Sequence, residues 1–320
     1  MNSTKQLIIK YLLSHCDEWV SEKDLFFETH LDYEEIFQII NNLKENEGYK
    51  IIVRKDRYYK FLNNYSLKTD IINFYSQYKF SNNLLVFKKV DSTQKLAKRI
   101  SQKNTLKEPS IIVTDEQTKG YGRHGRHFYS PSVTGLYFSI IFPNWSNNLS
   151  KNELLTIDIA VIVIKVLERF FPDEDFKLKW VNDIYLKNFK VAGIITDIFS
   201  KTDGSNNLIV GIGINLTTKK FPKYLVHKAT GINGQININR NKLLAQILQE
   251  IIDHHRSPKH FLNDYRKRSM ILGKKITIQL GNSVMKCTAQ RIEENGYLTV
   301  KDRFGNLKTY SAGEIVRIKW

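Results

Sequence analysis

The sequence predicts an α+β protein in three parts: a helical head closed by two short strands, a larger centre mixing helices with apolar strands, and an all-β tail. Three observations carry this. Apolar residues recur at helical spacing over 4–15, 32–45 and 243–255, the period of a helix with one buried face. Near-continuous apolar runs at 136–142, 191–195 and 210–215 read as strands buried on both faces. After Gly273, alternating residues are broken by Gly281-Asn282, Asn295-Gly296 and Gly305-Asn306, pairs suited to tight turns. The 320 residues leave room for two or three domains, and the expected divisions are 1–64, 65–270 and 271–320.

In the head, a helix over 4–15 is followed by Ser21, a good N-cap with Asp24 at the third position of a helix reaching about Thr29. A third helix is expected from about Asp32 to Glu45, with Ile36, Ile39, Ile40 and Leu43 on one face. The stretch 48–62 alternates like two strands around a turn near Lys55 and Asp56. Three helices and a β-wing describe a winged helix-turn-helix, whose third helix would enter the major groove. That helix sums to −3, with Asp32, Glu34 and Glu35 crowding its first turn. The acids suit the helix dipole but repel phosphates, so specific operator binding is expected to be weak. Residues 63–83 read as a linker with one helix.

The net charge is +17, which suits nucleic acid or acidic partners. Its distribution matters more. Residues 1–64 carry 9 Lys and Arg against 11 Asp and Glu, residues 65–270 carry 31 against 17, and residues 271–320 carry 9 against 4. The excess therefore lies outside the segment that would read DNA. Cys16 and Cys287 match no disulfide framework or zinc spacing, as expected for a reducing cytoplasm. Lys5, Lys10 and Asp17 interrupt the first apolar segment, which argues against a signal peptide. Leu154 to Phe171 contains Asp158, Lys165, Glu168 and Arg169, so it is expected to be a buried helix and not a membrane span.

The chemistry is concentrated in Lys119 to Pro131, KGYGRHGRHFYSP. Glycines let backbone amides approach a ligand, successive amides form an anion-binding concavity, and arginine adds forked donors for phosphate or carboxylate. A flexible basic hairpin would have the same composition. The phosphate-loop and dinucleotide fingerprints are absent. His124 and His127 have H-x-x-H spacing, but on a glycine loop without acidic neighbours this argues little for zinc. Asp91-Ser92-Thr93-Gln94 caps a helix after the strand 84–90, and Val210 to Asn215 carries a glycine at every second residue, leaving one face bare for a ligand.

The order and spacing of DSTQ, DEQTKGYGRHGRHFYSP, KWVNDIYLKNFKVAG and GIGIN resemble the biotin protein ligases of the BirA type, which join a DNA-binding domain to a ligase. The resemblance covers residues 85 to 320 and is weaker before residue 65. It implies a central mixed-sheet biotin/lipoate-ligase-like catalytic domain and an SH3-like C-terminal barrel. It further implies biotin contacts from Ser92, Thr93, Gln94, Gln117, Gly120, Tyr121, Gly122, Arg123, Lys190 and Gly193. Lys190 and Arg123 would be catalytic, and Arg126, Lys179, Asn182, Asp183, Asn215 and Phe221 would serve ATP and the adenylate, with Tyr224 an alternative aromatic cover for adenine. The sequence departs from the family pattern at Tyr121, where arginine is usual, at His124, where a basic residue is common, and at Val181, where proline is usual.

The implied reaction joins biotin to AMP at the expense of ATP, with Mg²⁺ on the phosphates, and passes biotin to a lysine of a carrier domain of a biotin-dependent carboxylase. No metal site from the protein alone is implied. A homodimer, constitutive or ligand-induced, a cytoplasmic location and no membrane partner are expected. The alternatives are a biotin-responsive regulator that has lost its active site, and a lipoate-ligase-like acyl transferase. The presence of Lys190, Arg123 and Gln117 argues against the first, and the GYGRHGR loop with the C-terminal barrel argues against the second. Closure of the 119–131 loop over the adenylate is expected, with Gly122→Ala slowing it if Gly122 needs a positive φ.

Overall fold

The computed structural model describes residues 3–62, 66–80, 83–103, 105–145, 149–232, 238–311 and 313–318. Part of the expected linker, residues 63–65, 81 and 82, lies outside the described residues. The chain divides into two compact units, Met1–Lys79 with Asn237–Ala245, and Phe80–Ile236 with Gln246–Trp320.

The smaller unit begins with α1 (Ser3–Ser14), β1 (Trp19–Ser21), α2 (Glu22–Thr29) and α3 (Tyr33–Asn41). It continues with β2 (Ile51–Val53), β3 (Tyr58–Phe61) and α4 (Thr69–Tyr75). Ile8, Leu12, Leu25, Ile36, Ile40 and Tyr59 are fully buried where the helices meet the sheet. Both helix starts are capping boxes. Ser21 Oγ accepts from Asp24 N at 3.1 Å, and Asp32 Oδ1 accepts from Glu35 N at 2.8 Å while Glu35 returns the bond to Asp32 N. Asp32 is thus a cap, not a helical residue. The third helix is shorter than the sequence pattern predicts, because a π-helical turn, Asn42–Asn46, takes over its last residues. Trp19 to Ser21, a stretch in which the sequence pattern predicts only the cap at Ser21, forms a third strand against β3. The sheet order is β1-β3-β2.

The larger unit is built on β4 (Leu84–Val90), α5 (Thr93–Lys103), β5 (Ser110–Gln117), β6 (Gly135–Phe142) and α6 (Leu149–Phe170). The hairpins β7 (Phe176–Lys179) with β8 (Asp183–Leu186), and β9 (Phe189–Ser200) with β10 (Asn206–Asn215), complete a seven-stranded sheet of order β4-β5-β6-β10-β9-β8-β7. Only β4 and β5 run parallel, so the sheet is mixed, and its central strands are apolar on both faces. Helix α5 packs on β5, β6 and β10, and α6 on β7, β8 and β9. Lys187 and Asn188 both adopt left-handed backbone and turn β8 into β9 in two residues, so Phe189 already pairs with Leu186. Helices α7 (Arg240–Arg256) and α8 (Leu262–Arg268) follow.

The tail is a five-stranded antiparallel sheet of β11 (Lys275–Leu280), β12 (Ser283–Ile292), β13 (Leu298–Asp302), β14 (Leu307–Tyr310) and β15 (Glu314–Ile318), ordered β14-β13-β12-β11-β15. Trp180 Nε1 donates to Gly296 O at 3.0 Å, and Arg266 Nη2 donates to Ile292 O at 2.6 Å. These bonds tie the tail to the larger sheet. Among the described residues no helix is long and apolar enough to cross a membrane.

Candidate active site

A cleft of about 860 Å³, its open mouth included, is lined by the strand ends and loops at one side of the seven-stranded sheet. It gathers Ser92, Thr93, Gln94, Gln117, Tyr121, Gly122, Arg123, Arg126, Lys179, Asn182, Asp183, Lys190 and Gly193 of the sequence-predicted set. Gly120, Asn215 and Phe221 do not line it.

One wall is the start of α5. Ser92, Thr93 and Gln94 are buried there, and the helix begins because Ser92 O accepts from Leu96 N at 2.9 Å. Gln117 Oε1 accepts from Thr93 N at 2.8 Å while Gln117 Nε2 donates to Ser130 Oγ at 2.9 Å. Gln117 therefore joins the helix start to the base of the glycine loop. Ser139 Oγ lies 2.9 Å from Gln94 Oε1, to which it donates, and 2.9 Å from the Thr93 hydroxyl. Behind this wall Arg99 makes two hydrogen bonds to Asp91, and holds its carboxyl at about 2, well below the usual carboxylate value.

The floor is glycine for a steric reason. A Cβ on Gly213 would lie 2.5 Å from the Phe128 ring, and one on Gly211 would lie 2.5 Å from Gln94 Oε1. The alternation of glycine with Ile212 and Ile214 in β10 thus lets Phe128 and Gln94 reach the sheet surface.

The loop 119–131 is folded back on itself. Gln117 bridges Ser130, Tyr121 bridges His127, and Gly122 N donates to Arg126 O at 2.8 Å. Gly122 has φ −111° and open space around a would-be Cβ, so the condition for Gly122→Ala to slow closure is not met. The left-handed positions are His124, at 56°, and Gly125, at 70°. Tyr121 lies under the ammonium groups of Lys95 and Lys98, at 5.8 and 5.9 Å from the ring centroid. His127 Nδ1 is 3.0 Å from Tyr224 Oη, and the Phe221 ring lies 5.9 Å from that of Tyr129, so both candidate adenine covers rest against this loop. Asn215 is buried, and its Oδ1 has no hydrogen-bond partner among the described residues.

Opposite the loop, Lys190 opens β9. Its backbone is pinned on both sides, pairing with Tyr185, donating to Lys228 O and accepting from Thr230 N. Its Nζ lies 2.6 Å from Asp183 Oδ1, and Gly193 gives it room, since a Cβ there would come within 3.0 Å of Nζ. Asn182 Nδ2 donates to Ile194 O at 2.6 Å, fixing the β7–β8 turn against β9. Lys179 Nζ donates to Tyr185 Oη at 3.0 Å. Burial holds the Lys179 ammonium below its usual pKa, against the pull of Asp183.

Phe128 and Trp180 also line the cleft, as does Glu314 of β15, whose carboxylate pairs with Arg126. Sequence reasoning missed all three. Glu314 sits more than 180 residues from its partner, and no local pattern announces such a contact. The cleft's carboxylates, Asp183 and Glu314, are each paired with a cation, and no group of three metal-ligating side chains occurs among the described residues. This donor set does not fit a resident metal ion.

Residues 86–215 match the Biotin/lipoate A/B protein ligase family. The chain is 26% identical over 234 residues to the "Bifunctional ligase/repressor BirA" of Escherichia coli, covering 71% of each chain. It is 27% identical over 278 residues to that of Bacillus subtilis, covering 83% of this chain and 81% of the relative. The structure of the biotin protein ligase from Aquifex aeolicus in complex with biotin and ATP superposes with a TM-score of 0.60 at 28% identity, over 75% of this chain and all of that one. With the fold, the cleft and these likenesses in agreement, residues 86–215 form a domain of the biotin/lipoate A/B protein ligase family, and the chain around it is similar to the biotin protein ligases of the BirA type.

Proposed function

We propose that this chain activates biotin with ATP to biotinyl-5′-AMP and transfers the biotinyl group to a specific lysine of a carrier domain of a biotin-dependent carboxylase. The observation that carries the reading is one cleft in which the Ser92–Thr93–Gln117 wall faces Lys190, Lys179 and Arg123 across a glycine floor. In the first step a biotin carboxylate oxygen bonds to the α-phosphorus and pyrophosphate leaves. Two anions must meet, so positive charge and aligned amides at the reacting phosphorus are required. Lys190 and Arg123 take the carboxylate and α-phosphate, the loop amides at Tyr121 and Gly122 add donors, and Lys179 and Arg126 face the departing phosphates. Buried Ser92, Thr93 and Gln94 hold the biotin ring with Gln117, Gly120 lets Gln117 and Ser130 close the base of the loop, and Gly193 makes room for Lys190. Asn182 and Asp183 orient the lysines. Asn215, with its unpartnered buried oxygen, accepts from the adenine amine, and Phe221 covers the ring. Mg²⁺ enters as the companion of ATP's phosphates.

In the second step the acceptor lysine nitrogen attacks the acyl carbonyl, loses a proton, and AMP departs. The mixed anhydride is hydrolysed by water, so loop 119–131 must cover it. The acceptor is expected to be acidic, because residues 65–270 carry 31 Lys and Arg against 17 Asp and Glu. Beyond Gly193, β9 pairs with β10 alone among the described residues, and such an edge supports a ligand-favoured homodimer. We read the smaller unit as a winged helix-turn-helix with weak operator affinity, and the tail as an SH3-like barrel. Two unpaired cysteines suit the cytoplasm. The test is incubation with biotin, ATP, Mg²⁺ and a carrier domain, read by mass spectrometry. One added biotinyl group on one lysine supports the reading, and an unmodified carrier overturns it.

A further inference from the structure

Tyr265 has no task in the reaction described above. It lies on α8, fully buried, and its hydroxyl has no hydrogen-bond partner among the described residues. A buried hydroxyl left without a partner costs free energy that phenylalanine would not. The residue is close to the chemistry. One turn further on, Ser269 bridges to Leu178 of β7, and Met270 N donates to Leu178 O at 2.9 Å. The next residue of β7, Lys179, is the cross-strand partner of Asp183. The charges of Asp183 and Arg123, both of which line the cleft, are felt at the phenol.

Asp183 is engaged with Lys190 at 2.6 Å before any substrate arrives. A carboxylate bound in the cleft competes for that ammonium, and Asp183, with its side chain only 16% exposed, is then short of a donor. We propose that Tyr265 is a positioning residue for adenylate formation, its hydroxyl donating to Asp183 once substrate draws Lys190 away. The inference rests on the ligase reading above. A neutral donor suits this place: it satisfies Asp183 without adding a second cation, so the charge of Lys190 is left to the substrate. No proton changes hands, since burial disfavours the phenolate. The unsatisfied hydroxyl is thus a cost of the free state that binding removes.

The test is Tyr265→Phe in the full chain, beside wild type, with three readouts: denaturant midpoint without ligand, initial rates of adenylate formation with biotin varied, and the thermal shift on adding biotin with MgATP. The variant is expected to be as stable as wild type or more so without ligand. Its kcat/KM for biotin should fall about tenfold, as for one hydrogen bond to a charged group, and its ligand-induced thermal shift should shrink. Asp183→Asn, which also disturbs Lys190, should cost less in that background than in wild type. Unchanged kinetics and an unchanged shift would overturn the proposal, as would a loss of activity matched by a loss of ligand-free stability. Wild-type protein that forms no adenylate overturns both this and the ligase reading, whereas active wild type with an equally active variant overturns this alone.

Discussion

Lys190 and Asp183 form an ion pair of 2.6 Å across neighbouring strands β9 and β8, so the cation assigned to the reacting carboxylate is aimed before biotin binds. With the Lys190 backbone held by Tyr185, Lys228 and Thr230, its side chain has little left to organise. Asp183→Asn is expected to slow adenylate formation on the order of 10²-fold, the cost of a misplacement of about 1 Å. Single-turnover rates would measure this, and a variant as fast as wild type would mean that Lys190 needs no such aim.

Gly213→Ala tests the floor. A Cβ there meets the Phe128 ring at 2.5 Å, and overpacking of this kind costs about 1–3 kcal/mol. The cost should fall on biotin affinity, by calorimetric titration, because Phe128 lines the cleft and can yield into it. Unaltered affinity with lowered stability would place the ring's role in packing alone.

Much of this was legible in the residues. Ser21 with Asp24 announces a capping box, and GIGIN announces a strand with a bare face, since both signals are local chemistry. What escaped was contingent on tertiary contact. Asp32 to Glu45 looks like one helix, yet Asp32 caps it and a π-helical turn ends it. Three glycines in the loop do not say which of them turns left-handed: Gly122 does not, and His124 and Gly125 do. Arg126 meets Glu314 of the tail, a pairing to which no spacing in the sequence points.

The pH dependence follows from Lys179, whose protonated form is the useful one. Burial lowers its pKa, so as pH rises the ammonium is lost earlier than from an ordinary lysine. The alkaline limb of kcat/KM for ATP is expected to begin below the usual lysine range, and Lys179→Arg, which stays charged, should move it upward. Superimposable profiles for the two proteins would remove Lys179 from the nucleotide site.

Trypsin offers a reading of the loop, which carries Lys119, Arg123 and Arg126. Cleavage between Lys119 and His127 is expected to slow when biotin and ATP are added together. The same cleavage rate with and without ligand would rule out closure over the adenylate.

For DNA, the winged helix-turn-helix reading proposed above would bring phosphates to the caps Asp32 and Glu35 and the exposed Glu34. Of the wing cations, Arg54 is paired with Asp56 at 2.6 Å and Arg57 with Glu22 at 2.9 Å. Two of the four wing cations are thus drawn to acids of the same unit, which leaves Lys55 and Lys60 to release counterions. Glu34→Arg with Glu35→Lys is expected to strengthen binding in a gel shift at physiological salt. A nanomolar wild-type shift on a palindromic operator, abolished by those changes, would show that the acids make base contacts.

The most direct measurement is formation of biotinyl-5′-AMP from biotin and ATP–Mg²⁺ by purified wild type and Lys190→Ala, followed by mass spectrometry and by pyrophosphate release. Wild type is expected to form adenylate and pyrophosphate in equal amounts. The variant, folded by its denaturant midpoint, should be slower by about 10²–10³-fold, or about 2.7–4 kcal/mol in the barrier. Wild type that releases no pyrophosphate, or a variant that matches it, would contradict the assignment of Lys190 and of the cleft.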